Sequence, residues 1–201
     1  MEKNETLKSV SNVEIKVLDM EVGWQTINLM FDEICVLFRA SYLGVCPLSS
    51  LISVVAEIDR DIEYGNIPDQ MCLRWYKEPG MMQFDVKYDG KNDYISIKIT
   101  DEDFFLYGKQ YSDIENPMEE YHFEVSHEIF KSAVIKEATR MLKQYGIRGY
   151  NENWLDNFDE FPISSYLQLL GNESEHDKES DILSSNLKEE ARLLSVIADE
   201  M

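Results

Sequence analysis

The stretch from residue 122 to residue 128 groups histidines with carboxylates. Its candidates for acid–base chemistry or metal binding are His122, Glu124, His127 and Glu128. Zinc deaminases use an H-x-E spacing, but they also need a following P-C-x-x-C, and no cysteine follows Cys72. The H-E-x-x-H spacing fails as well, because Lys131 stands where the second histidine is needed. The simpler interpretation is a strand end followed by the first turn of a helix.

Cys46 is a second candidate for chemistry because it precedes Pro47 at the start of a predicted helix. Backbone N–H groups at a helix N-terminus favour a thiolate, which is the nucleophilic form of cysteine. No base and no second cysteine lie close to Cys46 in sequence, so a small buried apolar residue is the alternative interpretation. The spacings of 11 and 26 between the three cysteines fit neither a zinc site nor a disulfide framework. We therefore expect Cys35, Cys46 and Cys72 to be reduced thiols in or near the core.

Other common cofactor motifs are absent from the sequence. It contains no phosphate-binding loop with a lysine, no G-x-G-x-x-G and no G-x-S-x-G. The acidic segment that begins at Asp59 has Tyr64 and Gln70 where a calcium-binding EF-hand loop needs glycine and glutamate. We therefore predict no bound metal and no cofactor.

The charge balance narrows the classes of partner. The chain has 39 acidic and 19 basic residues among 201, a net charge of −20 at pH 7. It lacks the clustered cations that neutralise phosphates, which argues against binding to nucleic acid or to an anionic membrane. The charge instead favours a protein partner with a basic surface. A polar N-terminus and the lack of a long apolar stretch predict a cytoplasmic location.

Aromatic residues beside acidic residues are common anchors of protein interfaces. The candidates for partner contact are Trp75, Glu78, Tyr150, Trp154, Asp156 and Asp159. The competing interpretation is that Trp75 belongs to a strand ahead of a tight turn and that Tyr150 packs near the end of a helix. The burial of these side chains distinguishes the two interpretations.

The periodicity of apolar residues predicts the elements that position these side chains. Alternating runs predict strands at 13–17, 24–31, 34–42, 73–77, 82–88 and 94–100. Helical spacing predicts helices at 47–63 and at about 127–145, with Gly146 placed to end the second. A short helix is also predicted to follow Pro162. The expected fold is α+β: a mostly antiparallel sheet of five to seven strands, packed by the long helix and accompanied by a C-terminal amphipathic helix.

The chain divides into one predicted α+β domain, residues 1–171, and a C-terminal extension. Residues 172–180 are wholly polar, as in a linker. Apolar side chains then recur at helical spacing and predict an amphipathic helix at 181–199. They are Leu183, Leu187, Ala191, Leu194 and Ala198. This helix could pack on its own domain or mediate oligomerisation.

Three functional hypotheses follow. The first is a non-enzymatic acidic protein-binding domain that neutralises a basic partner, as immunity or antitoxin proteins do. The second is a small-molecule-binding domain or an enzyme that uses the 122–128 cluster or Cys46. The third is a structural or assembly subunit joined through its C-terminal helix. The negative charge of the chain favours the first hypothesis. The motifs needed for the second hypothesis are incomplete.

Overall fold

The computed structural model describes residues 7–78, 80–90, 92–102, 119–154 and 161–171. The predicted linker at 172–180, the predicted helix at 181–199, and the candidates Asp156 and Asp159 lie outside the described residues. The strands are β1 (Lys8–Val10), β2 (Val13–Glu21), β3 (Trp24–Phe31), β4 (Ile34–Ser41), β5 (Met71–Tyr76), β6 (Met81–Asp89), β7 (Tyr94–Glu102) and β8 (Glu119–Ser126). The helices are α1 (Pro47–Glu63), α2 (His127–Trp154) and α3 (Ile163–Leu169).

Five strands form one mixed sheet in the order β1-β8-β7-β6-β5. Within this sheet, the pairs β5–β6, β6–β7 and β7–β8 are antiparallel. β1 instead pairs in parallel with β8, with Lys8 opposite Phe123. The sequence pattern does not predict β1, because three residues are too few to show a period of two.

The remaining strands, β2, β3 and β4, form a separate antiparallel sheet. Every second side chain of β3 is fully buried, in agreement with the alternation in the sequence. The predicted α+β fold with mostly antiparallel strands is confirmed, and its strands divide into two sheets. A period of two identifies a strand and its buried face but not the strand beside it, so the sequence could not assign this division.

α1 and α3 begin near prolines, and α2 is interrupted at a glycine. α1 has its predicted bounds, and Pro47 lies in the first turn, where the missing N–H would have no helical partner. Gly146 interrupts α2 with a φ of 65°, which is unfavourable for residues with a Cβ. The predicted end near 145 is an interruption, because helical turns resume and continue to Trp154. α3 follows Pro162, and Gly171 comes after it with a φ of 74°.

A single apolar core lies between the two sheets and the helices. Phe31 of the three-stranded sheet stacks on Phe123 of the five-stranded sheet, with ring centroids 4.1 Å apart. Phe38 and Trp75 form a second stack between the sheets at 5.2 Å. These aromatic pairs join the two sheets into one folded unit.

The expectation that all three cysteines lie in or near the core is wrong for two of them. Cys46 is buried, whereas Cys35 and Cys72 are exposed. Both exposed residues belong to strands in which neighbouring side chains are more buried. Alternation along a strand turns every second side chain outward, which explains their exposure. All three thiols are free in the structure.

An ion pair between the buried Glu137 and the partly exposed Arg140 attaches the edge strand β2 to α2. An edge strand has backbone groups without a neighbouring strand, and β2 also bulges between Val17 and Asp19. The Val17 N–H donates to the Glu137 carboxylate at 2.5 Å, and the Arg140 guanidinium donates to the Val17 carbonyl at 2.6 Å. Arg140 also donates to both Glu137 oxygens. Hydrogen bonding to Glu137 is the main cause of the raised pKa of Arg140. We call these three residues the β2 clamp.

The turn between β2 and β3 contains a strained residue. Val22 has a φ of 48° and Gly23 a φ of 77°, the two positive angles of a type I′ turn. A β-branched residue is an outlier at such an angle, whereas asparagine adopts it readily. The Val22 side chain is 68% exposed, so packing offsets little of the strain. We expect Val22→Asn to raise the free energy of unfolding by about 0.5–1 kcal/mol.

Urea denaturation of the wild-type chain and the variant measures this gain. Val45→Asn is the matched control, because Val45 is also exposed but does not have a positive φ. The control should not be stabilised. An equal effect at both positions would contradict the attribution of strain to Val22.

Candidate functional site

β8 presents His122 and Glu124 away from the core. The residues that alternate with them, Phe123 and Val125, are buried. The Nε2 atom of His122 lies 2.7 Å from one oxygen of Glu120. The other Glu120 oxygen pairs with a lysine of β7, since the Nζ of Lys98 lies 3.1 Å away. His122 therefore belongs to a partly exposed ion cluster on the outer face of the five-stranded sheet.

His127 lies elsewhere, buried where α1, α2 and the β6–β7 turn meet. Its Nε2 lies 3.2 Å from one oxygen of Asp59 in α1, and its Nδ1 lies 4.0 Å from an oxygen of Asp93 in the turn. The Nζ of Lys131, one helical turn along α2, pairs with the other Asp59 oxygen at 2.6 Å. The backbone N–H of His127 donates to the Asp93 carbonyl at 3.0 Å. The fold does not bring the two histidines of the 122–128 cluster into one site.

Tyr88 borders the His127 cluster on the side of the β6–β7 turn. Its hydroxyl donates to Asp93 at 3.3 Å, and its ring meets the imidazole edge-on at 6.0 Å. Burial, followed by the Asp93 carboxylate, raises the pKa of Tyr88. Glu128 is exposed in the first turn of α2, where the helix dipole favours a carboxylate. Within the described ranges, no group of three or more His, Cys, Asp or Glu side chains is arranged to hold a metal ion.

Cys46 lies at the N-cap of α1, as predicted, and is fully buried. Its sulfur lies 3.0 Å from the Tyr150 hydroxyl and accepts a hydrogen bond from the Gln25 amide at 3.4 Å. The Ser49 hydroxyl lies 3.1 Å from the same Tyr150 oxygen. Gln25 also accepts a hydrogen bond from the Leu48 N–H, at the start of α1, at 3.2 Å. The cluster satisfies polar groups within the core, and burial keeps the sulfur away from solvent.

Tyr150 makes the stability of the fold depend on pH. Burial, followed by the neighbouring Cys46, raises the pKa of Tyr150 well above its usual value. In the unfolded chain a tyrosine loses its proton above about pH 10. The unfolded state then binds fewer protons than the native state, so the free energy of unfolding falls as the pH rises. We expect the stability advantage of the wild type over Tyr150→Phe to shrink by about 1.4 kcal/mol between pH 8 and pH 11.

Urea denaturation of both chains over this pH range measures the difference. At pH 8 the wild type should be more stable by about 1–2 kcal/mol, because the variant removes the hydroxyl shared by Cys46 and Ser49. Tyr64→Phe controls for the loss of a tyrosine hydroxyl at the surface. A difference between wild type and Tyr150→Phe that stays constant with pH would contradict the expected proton linkage.

The aromatic candidates for partner contact lie in the core. Trp75, Tyr150 and Trp154 are fully buried. The indole N–H of Trp75 donates to the Ser50 hydroxyl at 2.9 Å. Glu78 is exposed and has a φ of 50°. Burial of the three rings agrees with the interpretation of Trp75 and Tyr150 as packing residues, since a buried ring presents no surface to a partner.

The surface near the His127 cluster is acidic and carries two exposed apolar side chains. Tyr64 and Ile67, which follow α1, are each 74% exposed. Ile67 lies beside the β6–β7 turn, because a Cβ on Gly90 would come within 3.5 Å of its Cγ1. Five carboxylates belong to the end of α1, the chain that follows it, the end of β6 and the β6–β7 turn: Asp61, Glu63, Asp69, Asp89 and Asp93. We call these five residues, together with Tyr64 and Ile67, the acidic end.

The sequence pattern does not predict the acidic end, although it contains a signal for it. The sequence points to the segment after Asp59 only as an incomplete calcium loop. Tyr64 and Ile67 nevertheless stand beside a glycine and a proline, in a turn rich in carboxylates. Apolar residues in such a turn are candidates for exposure. The approach of Asp89 and Asp93 from another turn has no counterpart in the sequence pattern.

Within the described part of the chain, no helix is long and apolar enough to cross a membrane. No protein-family model, no curated protein and no solved structure matches this chain.

Proposed function

We propose that this protein is a non-enzymatic acidic protein-binding domain that docks a basic partner on its acidic end. The observation that carries the proposal is the 74% exposure of both Tyr64 and Ile67, in neighbouring segments whose sequence contains five carboxylates. Exposed apolar residues with a polar rim are typical of protein interaction sites, and tyrosine is enriched among the residues that dominate binding energy. Tyr64 and Ile67 supply the anchors, and the carboxylates select a cationic surface.

Charge supports a basic partner. Glu63 and Asp69 are exposed, and neither forms an ion pair within the described residues. Their charges therefore remain available to a partner. The net charge of −20 adds a long-range attraction that speeds the encounter with a cationic protein. Salt screens this attraction over about 8–10 Å, so the association rate should fall as the ionic strength rises.

The buried His127 cluster prepares the acidic end for binding. Its members link α2 to the C-terminal half of α1 through the Lys131–Asp59 ion pair and to the β6–β7 turn through the bond from the His127 N–H to the Asp93 carbonyl. Both segments contribute carboxylates to the acidic end. A surface held in place before binding loses less conformational entropy when the partner arrives. His127 is thus a positioning residue for the interface.

In its most specific form, the proposal makes the chain an immunity or antitoxin-type inhibitor of a basic toxin such as a nuclease. A nuclease needs a cationic surface to bind the phosphate backbone. A domain that covers this surface competes with the nucleic acid. A cytoplasmic location is part of the proposal, and the three free cysteines agree with a reducing compartment.

The test is affinity capture with three versions of the chain as bait. Tyr64→Ala/Ile67→Ala removes the anchors. The control variant, Leu18→Ala/Leu37→Ala, removes two exposed apolar side chains from the three-stranded sheet. We expect a basic protein to be retained by the wild type and by the second variant but lost by the first. Failure to recover a basic protein with this dependence would contradict the proposal.

The captured protein, once purified, allows a quantitative comparison. Loss of each anchor should weaken binding by about 2 kcal/mol, a factor of about 30. Glu63→Lys/Asp69→Lys should mainly slow association. Glu14→Lys/Glu33→Lys makes the same charge change at an exposed residue of β2 and at one of the β3–β4 turn, and should not slow it. Equal association rates for the two charge variants would place the interface outside the acidic end.

A further inference from the structure

α2 carries a groove that the proposed function does not use. Its lining residues share one side of the helix and are Ser132, Ile135, Lys136, Thr139, Arg140 and Lys143. Ile135 and the methylene stems of the lysines supply apolar surface, and the cationic groups supply positive charge. In a chain with a net charge of −20, such a concentration of cations indicates an acidic occupant.

The cations of the groove differ in their partners. Arg140 is held by Glu137 and by the Val17 carbonyl in the β2 clamp. Lys136 and Lys143 are exposed, and neither forms an ion pair with the described residues. Two positive charges of the groove are therefore uncompensated by the part of the chain that the structure describes.

α3, near the end of the described residues, contacts α2 beside this groove. The Tyr166 hydroxyl of α3 lies 2.6 Å from the Thr139 hydroxyl, and Thr139 lines the groove. Gly171 follows the end of α3 by two residues. The predicted linker at 172–180 can span about 30 Å when extended, because each residue adds about 3.3–3.6 Å. The segment at 181–199 is therefore within reach of the groove.

We propose that residues 181–199 occupy the α2 groove of their own chain. Residues 181–199 contain four acidic and two basic side chains, a net charge of −2, which is opposite in sign to Lys136 and Lys143. The apolar stripe of this segment needs a packing surface, since an isolated helix of its length is marginal in water. Ile135 lines the same groove and, with the methylene stems of the lysines, provides that surface. The tether raises the effective concentration of the segment at the groove.

The test is hydrogen–deuterium exchange of the full chain, resolved by mass spectrometry. In the wild type, we expect slowed amide exchange across 181–199. Lys136→Glu/Lys143→Glu reverses the charge of the groove and should speed this exchange about tenfold, equivalent to about 1.4 kcal/mol. Leu187→Glu/Leu194→Glu breaks the apolar stripe and should have the same effect. Exchange in the buried part of α2, around Val134 and Ala138, should stay unchanged in both variants.

The matched control is Lys16→Glu/Lys87→Glu, which makes the same charge change at exposed lysines of the two sheets. Its exchange across 181–199 should equal that of the wild type. The proposal is overturned by unslowed exchange in the wild type, by a groove variant that exchanges at the wild-type rate, or by equal acceleration in the control. Protection that depends on protein concentration, with twice the mass of one chain in solution, overturns it as well, because a second copy then supplies the segment.

Discussion

Glu137→Ala is expected to lower the free energy of unfolding by about 3 kcal/mol, because it breaks the β2 clamp. Glu137 is 3% exposed, and its removal leaves the Arg140 guanidinium without a carboxylate partner. It also leaves the Val17 N–H of the edge strand without its acceptor. Because Arg140 is partly exposed, the expected loss of stability lies at the lower end of the range for removal of one partner of a buried ion pair. Urea denaturation followed by circular dichroism measures the change.

Two further variants distinguish the contribution of the β2 clamp to stability from the general effect of removing a charge from α2. Glu152→Ala removes a carboxylate from an exposed ion pair on the same helix and should leave stability nearly unchanged. Glu137→Gln keeps an oxygen acceptor for Val17 but loses the charge, so its stability should fall between those of the wild type and Glu137→Ala. If Glu137→Ala is no more destabilising than Glu152→Ala, the clamp does not hold β2 to α2.

Trp75→Ala is expected to cost about 3–5 kcal/mol of stability, the usual range for truncation of a large aromatic side chain in a core. Trp75 is fully buried between Phe38 and Phe84, with ring centroids 5.2 Å from each. Truncation leaves a cavity where the two sheets meet. It also removes the indole N–H that donates to Ser50. Urea and thermal denaturation measure the loss.

Tyr76→Ala is the control because the next side chain along β5 points outward and is partly exposed. It should change stability by less than about 1 kcal/mol. A Trp75→Ala chain that keeps wild-type stability but loses affinity for the captured basic protein would assign Trp75 to the interface instead of the core. The pair of variants thus distinguishes the two interpretations of Trp75.

The helices show how much local sequence signals can predict. α1 lies where the sequence predicts it because Pro47, the apolar stripe and the following glycine are all local features. Gly146 is also a local feature, and it interrupts α2 as its position suggests. The helical turns beyond it are held by the burial of Tyr150 and Trp154 in the core. That burial depends on distant residues, so the sequence pattern does not include it.

The candidate site shows more clearly what local sequence signals do not predict. His122 and His127 stand five residues apart, which suggests a shared site, but alternation along β8 and the start of α2 give them different surroundings. The carboxylates nearest to His127 come from Asp59 and Asp93, 68 and 34 residues earlier in the chain. No spacing rule connects residues so far apart. The same holds for the approach of Gly90 to Ile67 at the acidic end.

The sequence by itself determined the α+β class, the buried face of most strands and helices, and the negative charge, because these depend on periodicity and composition. Only the tertiary structure decided the division into two sheets, the β2 clamp, the burial of Trp75 and the assembly of the acidic end. The physical reason is that a period of 2 or 3.6 residues defines which face of an element is apolar, but not which other face it packs against. That choice depends on the packing of residues that are distant in the chain.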